Sequence, residues 1–241
     1  MKRPTTATRI STKALLAAFV AVTLAVGATG FSRTAHAREK LPETTPEGLK
    51  LVPKTKVSAV YLRDGVSFAG YTKVAILDCY VAFKKNWKRD QNEGPNPFKV
   101  SDSDITRIKT ELADEFKKVW TKELTAKGQT VVTTTGPDVL ILRPAIIDLD
   151  VGAPATMEPG ITHTFSASAG QATLFLELYD SVTSELLARI YDAETVDDMG
   201  FISVRNSVTN RADADRMLKK WADLLGTHLQ DARATTAAVA K

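Results

Sequence analysis

Val139-Leu140-Ile141-Leu142-Arg143-Pro144-Ala145-Ile146-Ile147-Asp148-Leu149-Asp150-Val151 reads as one long strand, with Leu140, Leu142, Ile146 and Leu149 holding apolar positions along it. Pro144 cannot donate to a sheet ladder. The strand is therefore expected to lie at an edge, or to be bulged or bent at that point. Upstream, Ile105, Ile108, Leu112, Phe116, Val119 and Leu124 recur every three to four residues and predict a helix over 104–126. Ser101, Asp102 and Ser103 offer N-caps, and Lys127-Gly128 marks the end. A short β-branched strand at 130–134 and a Gly136-Pro137 turn join that helix to the long strand.

Further out, 73–83 is apolar on both faces and is expected to be a central strand. Beyond the long strand, 172–179 and 186–195 form a hairpin around Asp180-Ser181-Val182-Thr183-Ser184. A last helix is predicted over 211–229, with Ala214, Met217, Leu218, Trp221, Leu224, Leu225 and Leu229 on its apolar face. Strand, helix, strands, helix in that order predicts an α+β fold. The expectation is a two-layer sandwich, a mostly antiparallel four- to six-stranded sheet packed on two long helices. One domain is expected over 59–230. A Pro-interrupted flexible tether precedes it at 38–58 and a disordered Ala/Thr-rich tail follows at 231–241. Polar stretches at 84–101, 152–171 and 196–209 are expected to be loops.

The first 37 residues point to a compartment. Lys2, Arg3, Arg9 and Lys13 precede an apolar run at 14–26, and Ala35-His36-Ala37 follows. A positive start, a short apolar core and an A-x-A site make a secretory signal peptide, with cleavage expected after Ala37. An uncleaved anchor is the alternative, but Gly27, Thr29 and Gly30 weaken the end of the run. The expected location is periplasmic, with no stable membrane anchor after cleavage. Removing 1–37 takes away five basic and no acidic groups, which turns a net charge of +4 into −1. The remaining chain has no global attraction for nucleic acid. Cys79 is the one cysteine, so no internal disulfide forms. In its apolar run it is expected to be a small buried hydrophobe.

Three stretches taken together carry a resemblance. Tyr61-Leu62-Arg63-Asp64-Gly65 runs through to Tyr71-Thr72-Lys73-Val74, Gly136-Pro137-Asp138-Val139-Leu140 enters the long strand, and Tyr179-Asp180-Ser181-Val182-Thr183-Ser184-Glu185-Leu186-Leu187 makes the hairpin. In this order they resemble the bacterial envelope lipoproteins of domain-of-unknown-function family 3313. The resemblance implies an envelope protein and supplies no catalytic residues. The chain departs from the family in lacking the lipid-bearing cysteine after the signal. Ser184 also stands where the family hairpin often has Gly. More loosely, the order of elements is similar to periplasmic domains of curli-secretion and penicillin-binding-protein-activator lipoproteins.

Few residues suggest chemistry. Trp87 lies among Lys84, Lys85, Lys88 and Arg89, either as a contact patch or folded back on the domain. His163 and Phe165 share a polar loop with Ser166 and Ser168, but no nucleophile-elbow motif is present. Asp148 and Asp150 alternate, and Asp197-Asp198 follows the hairpin, yet no calcium-loop or zinc motif appears. No catalytic residue, metal or cofactor is expected. Trp87, His163 and Phe165 are the candidate ligand-binding residues. The first expectation is a non-enzymatic accessory or binding protein, its partner an envelope protein or cell-wall component. The alternatives are a hydrolase acting on envelope material and a self-assembling scaffold using the sheet edge near Pro144.

Overall fold

The computed structural model describes residues 41–93, 99–151, 171–195 and 207–239. The expected signal peptide 1–37 lies outside these residues, as do 152–170 and 196–206 of the expected loops. Among the described residues the fold is mixed α+β, with one eight-stranded sheet and three helices.

The strands are β1 (Lys50–Leu51), β2 (Ala59–Leu62), β3 (Lys73–Ile76), β4 (Tyr80–Phe83), β5 (Thr130–Val131), β6 (Val139–Asp150), β7 (Gln171–Asp180) and β8 (Leu186–Thr195). The helices are α1 (Trp87–Asn92), α2 (Asp102–Ala126) and α3 (Ser207–Val239). The sheet runs β1-β2-β8-β7-β6-β3-β5, and β4 also pairs with β6. It is mixed, with more strands than the four to six expected. The β1–β2, β2–β8, β6–β7 and β7–β8 pairs are antiparallel. The β3–β5, β3–β6 and β4–β6 pairs are parallel. The parallel part follows from connectivity, because the chain leaves β4 and returns to β5 and β6 only after crossing α1 and α2. The expectation of two helices is corrected as well, since α1 forms inside the expected 84–101 loop.

The expected 73–83 strand is interrupted. Ile76 faces Leu142 on β6 but Tyr80 faces Ala145, so one spare residue is taken up at 77–79. The inward set changes parity across this bulge, from Val74 and Ile76 to Cys79, Val81 and Phe83. That change is why the segment looks apolar on both faces. On β6 the reverse occurs. Val81 faces Ile146 and Phe83 faces Leu149, so β6 carries its own spare residue. Asp148 sits at that step with φ +51°. Pro144 is opposite the first bulge and is fully buried. Carbonyls of Asp138 and Leu142 bond toward β3, so alternation aims the missing Pro144 N–H at the place where β3 has ended and β4 has yet to begin. The bulge expected at Pro144 is not in β6, whose register with β7 runs unbroken there; the spare residue lies on the facing segment at 77–79. Nor is the expected edge there, because β6 has neighbours on both sides, and Pro144 offers no exposed strand for self-assembly.

One face of the sheet meets α2 and α3. Leu140, Leu142, Ile146, Leu174, Leu176 and Leu178 pack there against Phe116, Val119, Trp120, Leu124, Leu218, Trp221 and Leu225. Each such fully buried side chain is worth about 1.5–3 kcal/mol of hydrophobic free energy. A capping box fixes the start of α2: Ser101 Oγ accepts from Asp104 N at 3.1 Å, and Asp104 Oδ2 accepts from Ser101 N at 3.0 Å. Hydrogen bonds from Ser101, then the Arg107 guanidinium, hold the Asp104 carboxyl below its ordinary pKa. The helix ends near α3 at Gly226, where an added Cβ would lie 2.7 Å from Lys127 Cγ. Among the described residues no helix is long and apolar enough to cross a membrane.

Two expected mobile stretches take part in the fold. Within 38–58, Leu49 is fully buried, β1 pairs with β2, and Thr45 is also buried. Leu49 contributes an anchor that the prolines, read only as helix breakers, conceal. At the other end, α3 continues through Val239 across the expected 231–241 tail, and begins at Ser207 inside the expected 196–209 loop.

Candidate functional site

The sheet face turned away from α2 and α3 carries the charged groups. Register puts Tyr61 of β2 opposite Arg189 of β8, Arg189 opposite Glu177 of β7, and Glu177 opposite Arg143 of β6. Four strands thus contribute one row, perpendicular to their direction, in which two guanidiniums flank a carboxylate. The next row sets Tyr191 opposite Phe175. The alternation that sends Leu174, Leu176 and Leu178 into the core sends Phe175, Glu177 and Tyr179 to this face.

Glu177 is 5% exposed and fully engaged. Its Oε1 accepts from Arg189 Nε at 3.0 Å and Nη2 at 2.7 Å. Its Oε2 accepts from the Tyr179 hydroxyl at 2.7 Å and lies 3.4 Å from Arg143 Nη1. Arg143 Nη1 also donates to the Tyr179 oxygen at 3.3 Å. Arg189 has a second carboxylate. Glu47 receives Nη1 at 3.0 Å and Nη2 at 2.8 Å, a two-pronged pairing. The Arg189 guanidinium lies 5.6 Å from the Phe175 ring centroid. Phe175 and Tyr191 meet edge to face at 5.0 Å, and Tyr61 meets Tyr191 at 6.3 Å.

Electrostatics follow from these contacts. The hydrogen bond from Arg189 pulls the Glu47 carboxyl from 4.5 down to about 2. Burial opposes the charge of Arg189, but bonds to Glu47 and Glu177 outweigh it and hold its pKa above the ordinary value. Burial, then the bond to Glu177, pushes Tyr179 up to about 12. Burial also raises Tyr191. These tyrosines stay protonated at neutral pH. Tyr61 and Glu177 are buried, so this face presents to solvent the half-buried rings of Phe175, Tyr179 and Tyr191 and part of the Arg143 guanidinium.

Glu47 is delivered by a tight turn. Gly48 N bonds Thr45 O at 2.9 Å, with Pro46 in the second position and Gly48 at φ +83°. Thr45 N bonds Leu49 O at 2.9 Å, and Leu49 N donates to Thr45 Oγ1 at 3.2 Å. Leu49, Ala59, Tyr61 and Leu186 form a small apolar cluster beneath the turn.

The residues chosen from sequence do not gather here. Trp87 is in α1, 3% exposed and stacked on Phe83 at 4.1 Å. It folds back on the domain, the second of the two expected arrangements, and is no contact patch. His163 and Phe165 lie outside the described residues. Asp148 and Asp150 lose their shared side at the β6 bulge. Asp148 is exposed, while Asp150 pairs with Lys84 at 3.1 Å. Among the described residues no group of three His, Cys, Asp or Glu is arranged to hold a metal ion. Cys79 is buried, and desolvation pushes its thiol up to about 12, against a bond from the Ile146 backbone. Glu47, Arg143, Glu177 and Arg189 were not singled out from sequence. A signal was available: Glu177 and Arg189 are opposite charges on the two arms of one predicted hairpin.

Among solved structures, the PelC dodecamer of Paraburkholderia phytofirmans is 12% identical, covering 68% of this chain and 94% of its own, with a TM-score of 0.34. A DUF4136 family protein of Bacteroides thetaiotaomicron is 11% identical, covering 71% and 95%, with a TM-score of 0.35. A DUF330 protein of Xanthomonas campestris is 8% identical, covering 77% and 97%, with a TM-score of 0.35. No curated protein matches the sequence. The family described as proteins of unknown function DUF3313 matches residues 47–225, from the Glu47 turn to the apolar face of α3, and the chain belongs to that family.

Proposed function

We propose that the protein is an exported, periplasmic envelope protein that works by binding, and that it binds through the sheet face turned away from α2 and α3. The observation that carries this reading is the set of half-buried rings of Phe175, Tyr179 and Tyr191 with Arg143, held in place by the row Tyr61–Arg189–Glu177–Arg143, of which Tyr61 and Glu177 are buried. Arginine and tyrosine are the residue types that dominate recognition surfaces, because they combine apolar area with directed hydrogen bonds. Tyr179 and Glu47 support binding over proton transfer, since the first stays protonated and the second ionised at neutral pH. The charged, apolar and small-residue segments of 1–37 support export.

The test has two parts. Fractionation of cells with an N-terminal sequence of the product is expected to find a periplasmic chain beginning at Arg38. Capture from periplasmic extract is then expected to retain an envelope protein or cell-wall component. Tyr191→Ser and Phe175→Ser should lose that partner while Trp87→Phe keeps it. A chain found in the cytosol with Met1 attached, or a partner indifferent to both face substitutions, overturns the reading.

A further inference from the structure

We propose that Glu47 occupies a carboxylate-binding site on Arg189, standing in for a carboxylate of a peptide partner. This inference rests on the face being the recognition surface. Arg189 has two hydrogen-bonding edges. One, made by Nε and Nη2, is filled from within the sheet by Glu177 Oε1. The other, Nη1 and Nη2, receives both oxygens of Glu47 at 3.0 and 2.8 Å. A planar fork meeting both oxygens of one carboxylate is the geometry by which arginine recognises that group.

The two carboxylates differ in how they are held. Glu177 belongs to β7 and is 5% exposed. The Glu47 side chain is 43% exposed and comes from the turn at 45–49, which β1 and the fully buried Leu49 hold to the sheet, so that the side chain and not the turn would swing away. The turn carries its own hydrogen bonds between Thr45, Gly48 and Leu49, so it keeps its shape without the contact to Arg189. Were Glu47 replaced by another carboxylate, Arg189 would keep Glu177 and stay paired. The guanidinium, 5.6 Å from the Phe175 ring centroid, is already oriented and a ligand need not order it.

The experiment uses the full exported chain and three fluorescent tripeptides read by anisotropy. One has a free C-terminal carboxylate and no acidic side chain. The second is amidated at its end and carries a glutamate. The third is amidated and has no carboxylate. Glu47→Gln and Glu47→Ala are each expected to bind a carboxylate-bearing peptide at least about tenfold more tightly than the unaltered chain. Whether the first or second peptide shows the gain identifies a chain terminus or an acidic side chain as the source. The third should not gain. Adding Arg189→Lys to Glu47→Ala should abolish most of the gain, because a single ammonium cannot make the fork. Equal affinity with and without Glu47, or an equal gain for the third peptide, overturns the proposal. If Tyr191→Ser loses the captured partner but the Glu47 variants bind no tighter, the stand-in fails and the face reading stands. If the partner ignores both Tyr191→Ser and Phe175→Ser, the face reading fails and this proposal falls with it.

Discussion

Trp221 donates its indole N–H to Asp192 Oδ2 at 2.9 Å, joining α3 to β8 inside the protein. The other carboxylate oxygen accepts from Ser58 N at 2.9 Å and Ser58 Oγ at 3.2 Å, residues 134 positions away in sequence. One side chain, 4% exposed, thereby joins the start of β2, the sheet and the last helix. Asp192→Ala leaves the buried Trp221 indole N–H without an acceptor, while the exposed Ser58 can turn to water. It is expected to lower stability by about 1–3 kcal/mol. Asp192→Asn keeps one oxygen and should lose less. Urea titration followed by tryptophan fluorescence measures both.

The charged row gives an asymmetric pair of variants. Arg189→Met removes both hydrogen bonds to Glu177 Oε1 and leaves that buried carboxylate only Tyr179 and Arg143, so it is expected to destabilise by about 2–4 kcal/mol. Glu47→Gln removes a half-exposed partner and should change stability at neutral pH by less than about 1 kcal/mol. The pH dependence has a definite sign. Glu47 has a lowered pKa in the folded chain, so its contribution is present above 4.5 and is lost as pH falls toward 2. Acid unfolding of the Glu47→Gln variant should be shallower over that interval and unchanged above it.

Gly226 lies where α3 passes the end of α2. A Cβ there would sit 2.7 Å from Lys127 Cγ and 3.0 Å from Lys127 Cβ. The second atom is next to the backbone and cannot swing aside. Gly226→Ala is therefore expected to destabilise by about 1–3 kcal/mol, although alanine is the better helix former. Thermal unfolding by circular dichroism reads this directly.

Ser184 closes the β7–β8 hairpin at φ +59°, in the left-handed region. Its N–H bonds Asp180 O at 3.0 Å, a backbone contact that any residue at 184 supplies, and the Asp180 carboxylate holds the rest of the turn through Val182 N and Thr183 N. Ser184→Gly should stabilise by about 0.5–1 kcal/mol, the strain released less the greater freedom of glycine in the unfolded chain. A lower unfolding midpoint would contradict this account of the turn.

Much of the scaffold was legible because burial leaves a periodic trace. Phe116, Val119 and Leu124 mark α2, Leu218, Trp221 and Leu225 mark α3, and Leu174 with Leu176 marks β7. The mixed sheet was less visible. Parallel pairing of β3 and β4 with β6 depends on contacts between distant segments, such as Thr72 with Asp138, and no local pattern encodes them. The charged row was hidden for a different reason. Arg143, Glu177 and Arg189 are three charges on three strands, each unexceptional alone, and only register assembles them. Glu47 was hidden inside a segment whose Pro46 suggested disorder, while in the fold that proline sets the turn that presents it.

The two spare residues along the β3/β4–β6 seam cancel. One is absorbed at 77–79 opposite Pro144 and the other at Asp148, so Ile76–Leu142 and Phe83–Leu149 keep the same offset at either end. Each bulge absorbs its own spare residue, so deleting one position within 77–79 leaves Ile76–Leu142 and Tyr80–Ala145 paired, and deleting Asp148 leaves Val81–Ile146 and Phe83–Leu149 paired. A deletion between the bulges has no such slack and turns an inward row outward. The seam can therefore give up length at its bulges, where it loses curvature and keeps its register.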